Sequence, residues 1–296
     1  MPVDIAFITV NYNTLPWLMR LADFFRDLAV PFSFSFHVVD NGSRDGSQEF
    51  LRARREIHLL EVGENIGYGC AINRGVSATA STYVCVLNTD VILNREALVA
   101  LWRFLEARPE VGICAPRITY EDGRDQGMVF RRSLFSHYVP GYAKVRARWV
   151  KREISGGTAP LRVDGVQGAF FLVRRSSIPP PSLFDEDFFF FHEDTALAHK
   201  LKDGGIPCFV LPTATIIHAG GQSRSAESVA LFYSSKYLYL KKFYGPRHAR
   251  AIYLLDRARI LRKWFLYSLL SLGTTSELIR SKQRYYGRAW STARWR

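Results

Sequence analysis

The chain has 296 residues, 48% of them hydrophobic, and a formal charge of +13. That size and composition bury a full core and exclude a disordered chain. The charge sits at one end: residues 1–240 hold 26 Lys and Arg against 25 Asp and Glu, whereas 241–296 hold 14 against 2. A nucleic-acid binder more often spreads such charge over its folded face, so a basic C-terminal block points first to anionic lipid or an anionic acceptor.

Apolar strand-like runs alternate with helical patterns: strand 5–10, helix 16–28, strand 34–39, helix 47–54, strand 57–62, helix 68–78, strand 83–87, helix 96–107 and the run 111–115. Repeated units of this kind predict an α/β fold with a mostly parallel central sheet and helices on both faces. Ligands of such sheets bind outside the carboxyl ends of the strands. The polar residues gather there: Asn11, Asn13, Asp40, Asn41, Asn65, Asn88, Thr89 and Asp90.

From 124 to 160 the pattern breaks into basic, aromatic and glycine-bearing sequence, including Arg131, Arg132, Tyr138, Tyr142 and Arg146. This reads as a variable loop of the sort that carries substrate specificity. Order returns with 163–173, a helix over 193–202, a strand over 208–211 and a late strand over 214–217. The last fifty or so residues read as basic amphipathic helices, with Ile252, Leu255, Leu261, Trp264, Phe265 and Leu269 interleaved among Arg257, Arg259, Arg262 and Lys263, and a final helix over 279–290. They suit a membrane surface first, and second a helix packed on the preceding domain with its charges in water. The expected division is a domain over 1–240 and a helical extension over 241–296.

Cys70, Cys85, Cys114 and Cys208 stand apart in apolar runs, without zinc spacing, as reduced core residues do. Met1 leads directly into a strand with no charged and then apolar leader, and the longest apolar run, 264–272, is far short of the ~20 residues that span a bilayer. The expectation is a cytoplasmic protein without a spanning helix.

Four consecutive aromatics, Phe188 to Phe191, run through His192 into Glu193 and Asp194 at a helix start. Carboxylates there are favoured by the macrodipole, and an aromatic wall desolvates them, which poises one as a base; the pair would also serve as a plain helix cap. Asp40, Asn41, Gly42 and Ser43 place a carboxylate and an amide at a strand end, suited to a pyrimidine N3–H and a ribose, or to a tight turn. Asn65, Gly67 and Gly69 open a helix, where amides can face a ribose or phosphate. Asp90 ends a strand with a hard-cation ligand, and His218 follows the late strand ahead of Gly220 and Gly221, as a metal or phosphate ligand on a loop would.

In this order the pieces resemble the family 2 glycosyltransferases of the GT-A fold, in particular the bacterial rhamnosyltransferase-like members. The resemblance runs from Asp4 to Ser223 through Asn11-Tyr12-Asn13, Asp40-Asn41-Gly42-Ser43, Asn65 with Gly67 and Gly69, Asn73, Asn88-Thr89-Asp90, Gly168-Ala169-Phe170-Phe171, Glu193-Asp194 and His218. It implies an inverting transferase with a pyrimidine nucleotide-sugar donor, dTDP-L-rhamnose foremost and other UDP- or dTDP-sugars as alternatives. The implied acceptor is a glycan, or one carried on a polyprenyl diphosphate, met at the cytoplasmic face of the inner membrane. Asp194 would be the catalytic base, and Asn11, Asn13, Asp40, Asn41, Ser43, Asn65, Gly67, Asn88 and Thr89 would line the donor site. Glu193 and His192 would meet the acceptor, and Asp90 and His218 would hold Mg2+ or Mn2+. Two departures stand out. Asp90 is the single carboxylate of its motif, and Ala196 and Lys200 stand where relatives carry Asp and Arg.

Overall fold

The computed structural model describes residues 3–127, 129–130, 138, 145, 148, 152–220, 226–273 and 276–292. Two compact units divide the chain. The first holds 1–133, 141–189 and 193–220, and the second 134–140, 190–192 and 221–296. The division falls at 220, within the segment the sequence reading assigns to the first domain, because the helix Ala226–Tyr244 runs across residue 240.

The first unit is an α/β fold. Its elements are β1 (Val3–Asn11), α1 (Leu15–Arg26), β2 (Phe34–Asp40), α2 (Ser47–Arg52), β3 (Ile57–Glu61), α3 (Tyr68–Ser77), β4 (Ser81–Asn88), β5 (Val91–Ile92), α4 (Arg95–Glu106), β6 (Ile113–Thr119), β7 (Val129–Phe130), β8 (Leu161–Val163), β9 (Gly165–Val166), β10 (Phe170–Arg174), α5 (Glu193–Asp203) and β11 (Cys208–His218). The main sheet runs β3-β2-β1-β4-β10-β6-β11-β5, with β8 beside β11, and β7 pairs separately with β9. Strands β3, β2, β1 and β4 are mutually parallel, as are β6 and β11, whereas β10 is antiparallel to both its neighbours.

Alternation along each strand sorts the core into two layers. Phe7, Phe36, Val38, Cys85, Leu87, Phe170 and Leu172 pack with Leu18, Leu21 and Phe25 of α1 and Leu98, Leu101 and Phe104 of α4. Ile8, Val39, Val84, Val86, Phe171 and Val173 pack with Ala71, Ile72 and Val76 of α3 and Leu197 and Leu201 of α5. Cys85, Cys114 and Cys208 are buried and reduced.

Register places the polar strand ends in one row. Asn11 sits opposite Asp40, and Val10 opposite Asn88. The two late strands expected from sequence are one strand, β11, whose register against β6 shifts between Leu211 and Thr215. Pro212 lies in that interval, where a residue without an N–H cannot continue the ladder.

The second unit holds the helices α6 (Ala226–Tyr244), α7 (Pro246–Leu272) and α8 (Glu277–Thr292). Val229, Ile260 and Ala289 form its core with Tyr233 and Trp290. Gly287 lets α8 approach Trp264, whose Nε1 would lie 3.2 Å from an added Cβ, and Tyr267 stacks on Tyr286. Asp256 is buried in a cluster with Lys236 at 2.5 Å and Arg259 at 3.4 Å. The apolar surface it exposes gathers in the last third of α7, where Phe265 is 59% and Leu272 84% exposed. The basic residues lie ahead of it along the helix, interleaved there with exposed Leu254, Leu255 and Leu261. Among the described residues no helix is long and apolar enough to cross a membrane. Of the loop residues singled out in the sequence, Arg131, Arg132, Tyr142 and Arg146 lie outside the described residues, while Tyr138 bonds His248 at 2.7 Å within the helical unit.

Candidate functional site

At the carboxyl ends of β1 and β2 the polar side chains are spent on one another. Asn11 donates to Asp40 Oδ2 at 2.9 Å and to Ser43 Oγ at 2.9 Å, and accepts from the Thr14 hydroxyl at 2.7 Å. Asp40 is 0% exposed and takes the Ser43 amide at 3.0 Å and the Gln48 amide at 2.8 Å on Oδ1. Burial alone would raise its pKa, but hydrogen bonds from Ser43, Gln48 and Asn11 outweigh it and hold the group below the ordinary value. Thr14 also reaches Thr89 at 3.0 Å, tying the β1 loop to the end of β4. Asn13 adopts φ +54 and accepts the Arg44 amide at 2.7 Å on its side-chain oxygen. Asn41 bridges to the next loop, donating to Asn65 at 2.9 Å and accepting from the Ile66 amide at 3.0 Å.

Gly67 turns that loop into α3 at φ +88, so close to Phe189 that an added Cβ would lie 2.5 Å from its carbonyl oxygen. The same carbonyl accepts from the Tyr68 amide at 2.9 Å. Asn73 on α3 holds the next segment by donating to the Phe184 carbonyl and accepting its amide, both at 2.9 Å.

The second cluster joins β4 to β11. Asp90 Oδ1 lies 3.2 Å from His218 Nε2, and Asn88 Nδ2 lies 3.4 Å from the same nitrogen. The Ala219 amide donates to the Asp90 carbonyl at 3.0 Å, pinning the loop beside β4. On the other side of the ring His218 Nδ1 meets Gln126 Oε1 at 2.8 Å. Among the described residues no third His, Cys, Asp or Glu joins the pair to make a cluster of three. Gln126 went unmarked in the sequence because it lies in the irregular loop. The signal was its nearness to the end of β6, which pairs with β11 and so runs beside His218.

The third cluster starts α5. Asp194 is 8% exposed; its Oδ2 accepts the Gly168 amide at 3.1 Å and its Oδ1 the Thr195 amide at 2.6 Å. Tyr68 donates to the Gly168 carbonyl at 2.9 Å, fixing that glycine from above β10. Glu193 is 6% exposed and its Cβ would lie 3.7 Å from a Cβ added at Gly69 on α3. Its Oε2 has no hydrogen-bond partner among the described residues. Burial and the neighbouring Asp194 push its pKa up to about 8. Burial raises Asp194 as well, but the Gly168 and Thr195 amides stabilise its anion. Burial thus favours the neutral form of Glu193, while two amides support the anion of Asp194.

The aromatic run divides. Phe188 is buried in the α/β unit, whereas Phe190 to His192 belong to the helical unit. There the His192 ring packs against Phe232 at 5.2 Å and Tyr239 at 5.8 Å. The two residues that depart from the relatives' pattern are structural: Ala196 is fully buried and Lys200 pairs with Asp185 at 3.6 Å.

The family model "Glycosyl transferase family 2" matches residues 7–178. An N-acetylglucosaminyl-diphospho-decaprenol L-rhamnosyltransferase of Mycobacterium tuberculosis is 28% identical over 257 residues, covering 79% of this chain and 82% of that protein. A mannosyltransferase of Pyrobaculum calidifontis, solved with GDP-Man and Mn2+, superposes with a TM-score of 0.60 at 16% identity over 99% of this chain and 87% of that one. GalNAc-T7, solved with UDP, GalNAc and Mn2+, gives a TM-score of 0.58 at 13% identity over 98% of this chain and 55% of that one. The family match takes in β1 through β10, with the Asn11, Asp40 and Asp90 strand ends inside it, and the chain is a glycosyltransferase of family 2 with the GT-A fold.

Proposed function

We propose that the enzyme is an inverting transferase that moves L-rhamnose from dTDP-L-rhamnose to a hydroxyl of a lipid-linked glycan. The observation that carries the reading is the row of strand ends that sets Asn11 beside Asp40 and Val10 beside Asn88, with Asp90 next to His218. The choice of sugar and carrier rests on the 28% identical relative, whose name gives it an L-rhamnosyl product on a diphospho-decaprenol acceptor.

In this reading the acceptor hydroxyl lies at Asp194, which takes its proton as the oxygen attacks the anomeric carbon. The bond from that carbon to the diphosphate breaks as the new one forms, so configuration inverts and no covalent sugar–enzyme intermediate is needed. Glu193, protonated and with a bare Oε2, has an oxygen to spare for an acceptor hydroxyl. Asp40 anchors the nucleotide end. Its acceptor sites are filled by Ser43, Gln48 and Asn11, so reading a pyrimidine N3–H requires Gln48 to leave Oδ1.

Asp90 and His218 fit Mg2+ or Mn2+. Their facing atoms are 3.2 Å apart, close to the separation of adjacent ligands on an ion with bonds of about 2.1 Å, and a two-ligand site leaves the remaining positions to diphosphate and water. When bound, the ion supplies positive charge against the departing diphosphate. The last third of α7, with Trp264, Phe265, Leu266, Leu269 and Leu270 exposed behind a basic stretch, is the membrane-facing part. It holds the enzyme peripherally on an anionic cytoplasmic surface where a polyprenyl-linked acceptor is found.

The test is a thermal-shift series with dTDP-rhamnose and UDP-sugars, each with and without Mg2+ or Mn2+, since a bound donor stabilises the native state by mass action. A larger shift with dTDP-rhamnose than with any UDP-sugar supports the donor. A larger shift with a UDP-sugar replaces it, and no shift with any nucleotide sugar sinks the reading.

A further inference from the structure

Gln126 reaches the site only through His218, and its amide is held in one orientation. Its Nε2 donates to the carbonyl of His218 and, at 3.4 Å, to that of Thr119. Turned the other way, the amide oxygen would face two carbonyl oxygens, so the side chain is fixed with Oε1 against the imidazole. The backbone beneath it is fixed as well. The Gln126 amide donates to Ile118 at 2.9 Å, and Asp125 is clasped by Arg117 at 2.6 and 3.1 Å.

The consequence falls on the His218 ring. An oxygen 2.8 Å from Nδ1 demands a proton on Nδ1, because the other tautomer would set a lone pair against a lone pair. In the neutral ring the free electron pair is then on Nε2, the nitrogen that faces Asp90 Oδ1 at 3.2 Å. Two electron-pair donors then face each other between β4 and β11.

We infer that Gln126 is a positioning residue, which selects the His218 tautomer able to ligate a divalent cation together with Asp90. The inference rests on the metal-dependent reading above. It gives the first residues of the irregular loop a task in donor binding, whereas the sequence pattern points that loop only at specificity. Outer-shell partners of this kind are worth on the order of ten- to a hundredfold in metal affinity.

The test is calorimetric titration of Mn2+ onto the full chain, with and without UDP, for wild type, Gln126→Leu and Gln126→Glu, alongside nitrogen NMR of the neutral histidine side chains. Wild type is expected to show His218 protonated on Nδ1. Gln126→Leu is expected to show the proton on Nε2 and a Mn2+ affinity lower by about ten- to a hundredfold, with its melting temperature showing that it is folded. Gln126→Glu keeps an oxygen opposite Nδ1 but sets its second oxygen against the two carbonyls, and is expected to retain the wild-type tautomer with a Mn2+ affinity between those of wild type and Gln126→Leu. Equal affinities in wild type and Gln126→Leu overturn the inference, as does a wild-type ring protonated on Nε2. If Gln126→Glu fails as Gln126→Leu does, Gln126 acts through the two carbonyls it holds, and the tautomer argument is wrong. A wild-type protein that takes up no Mn2+ in either condition removes the metal reading itself, and this inference with it.

Discussion

Asn11 divides its side-chain amide between Asp40 and Ser43, donating to each at 2.9 Å. With the Gln48 amide also on Asp40, the carboxylate is a keystone of the β1–β2 end before it is a ligand contact. Asp40→Asn sets an NH2 among donors and is expected to cost about 1–3 kcal/mol, read as a lower urea midpoint. Because hydrogen bonding depresses the folded pKa of Asp40, its contribution is full above the ordinary value of 3.8 and is lost as pH falls through the folded value. The variant lacks that acid-side loss. Gln48→Ala frees an acceptor on Asp40 and is expected to tighten UDP or dTDP binding; weaker binding would show that the base is read elsewhere.

Asp194→Asn keeps the shape of the α5 start but removes the anion that the Gly168 and Thr195 amides support. Turnover is expected to fall by about a hundred- to ten-thousandfold while the Kd for the nucleotide sugar changes little. Unchanged turnover would assign the base to another group.

Glu193 adds a pH dependence to stability of the opposite sense to that of Asp40. Its pKa is raised from 4.5 to about 8 in the folded state, so the native protein binds the proton more tightly than the unfolded chain. That stabilisation is full below 4.5 and is lost as pH rises through about 8. Melting temperatures of the wild type are expected to decline across this window. Gln in place of Glu193 has no proton to lose, so its curve is flatter and its stability exceeds that of wild type on the alkaline side. Parallel curves for the two proteins would refute the assignment.

Gly67→Ala meets two obstacles, a left-handed φ of +88 and the Phe189 carbonyl 2.5 Å from the new Cβ. A loss of about 1–3 kcal/mol is expected from the backbone alone, measurable by denaturant unfolding. The displaced Phe189 turn lies four residues before Glu193, so activity is expected to fall by more than the loss of folded protein explains.

Phe265→Asp combined with Leu269→Asp replaces two exposed apolar residues of α7 and is expected to abolish binding to vesicles containing phosphatidylserine without lowering the melting temperature. Wild-type binding should weaken as salt rises, since part of it is electrostatic. Retained vesicle binding in the double variant would place the contact elsewhere.

Much of this was legible in the sequence because it is periodic. Apolar runs at 5–10, 34–39 and 83–87 announced strands, and strands that are parallel must end on one side, so Asn11, Asp40 and Asn88 had to meet. What stayed hidden depended on pairings with no local signature. Nothing in Phe170 to Arg174 says that β10 runs backwards between β4 and β6. Gln126 carries no pattern at all, and its role comes from β6 lying beside β11. The aromatic run Phe188 to Phe191 looked like a single wall because composition cannot show where a chain leaves one unit for another. Asn11 and Asn41 read as ligand contacts because polarity at a strand end does not reveal whether a side chain is already satisfied by its neighbours.

The reversed direction of β10 brings the proposed base, Asp194, and the Asn88 strand end to neighbouring stations on the same stretch of backbone. Because the strand begins where β4 ends, the Ala169 carbonyl takes the Asn88 amide at 3.0 Å while the preceding residue, Gly168, hands its own amide to Asp194. In the proposed reaction the spacing between the diphosphate and the acceptor hydroxyl would follow a two-residue ruler of peptide, stiffened by sheet on one side and by Tyr68 on the other. A one-residue insertion between Gly168 and Ala169 would lengthen that ruler. It should uncouple nucleotide-sugar hydrolysis from transfer, because the donor could still be cleaved with its acceptor held out of line.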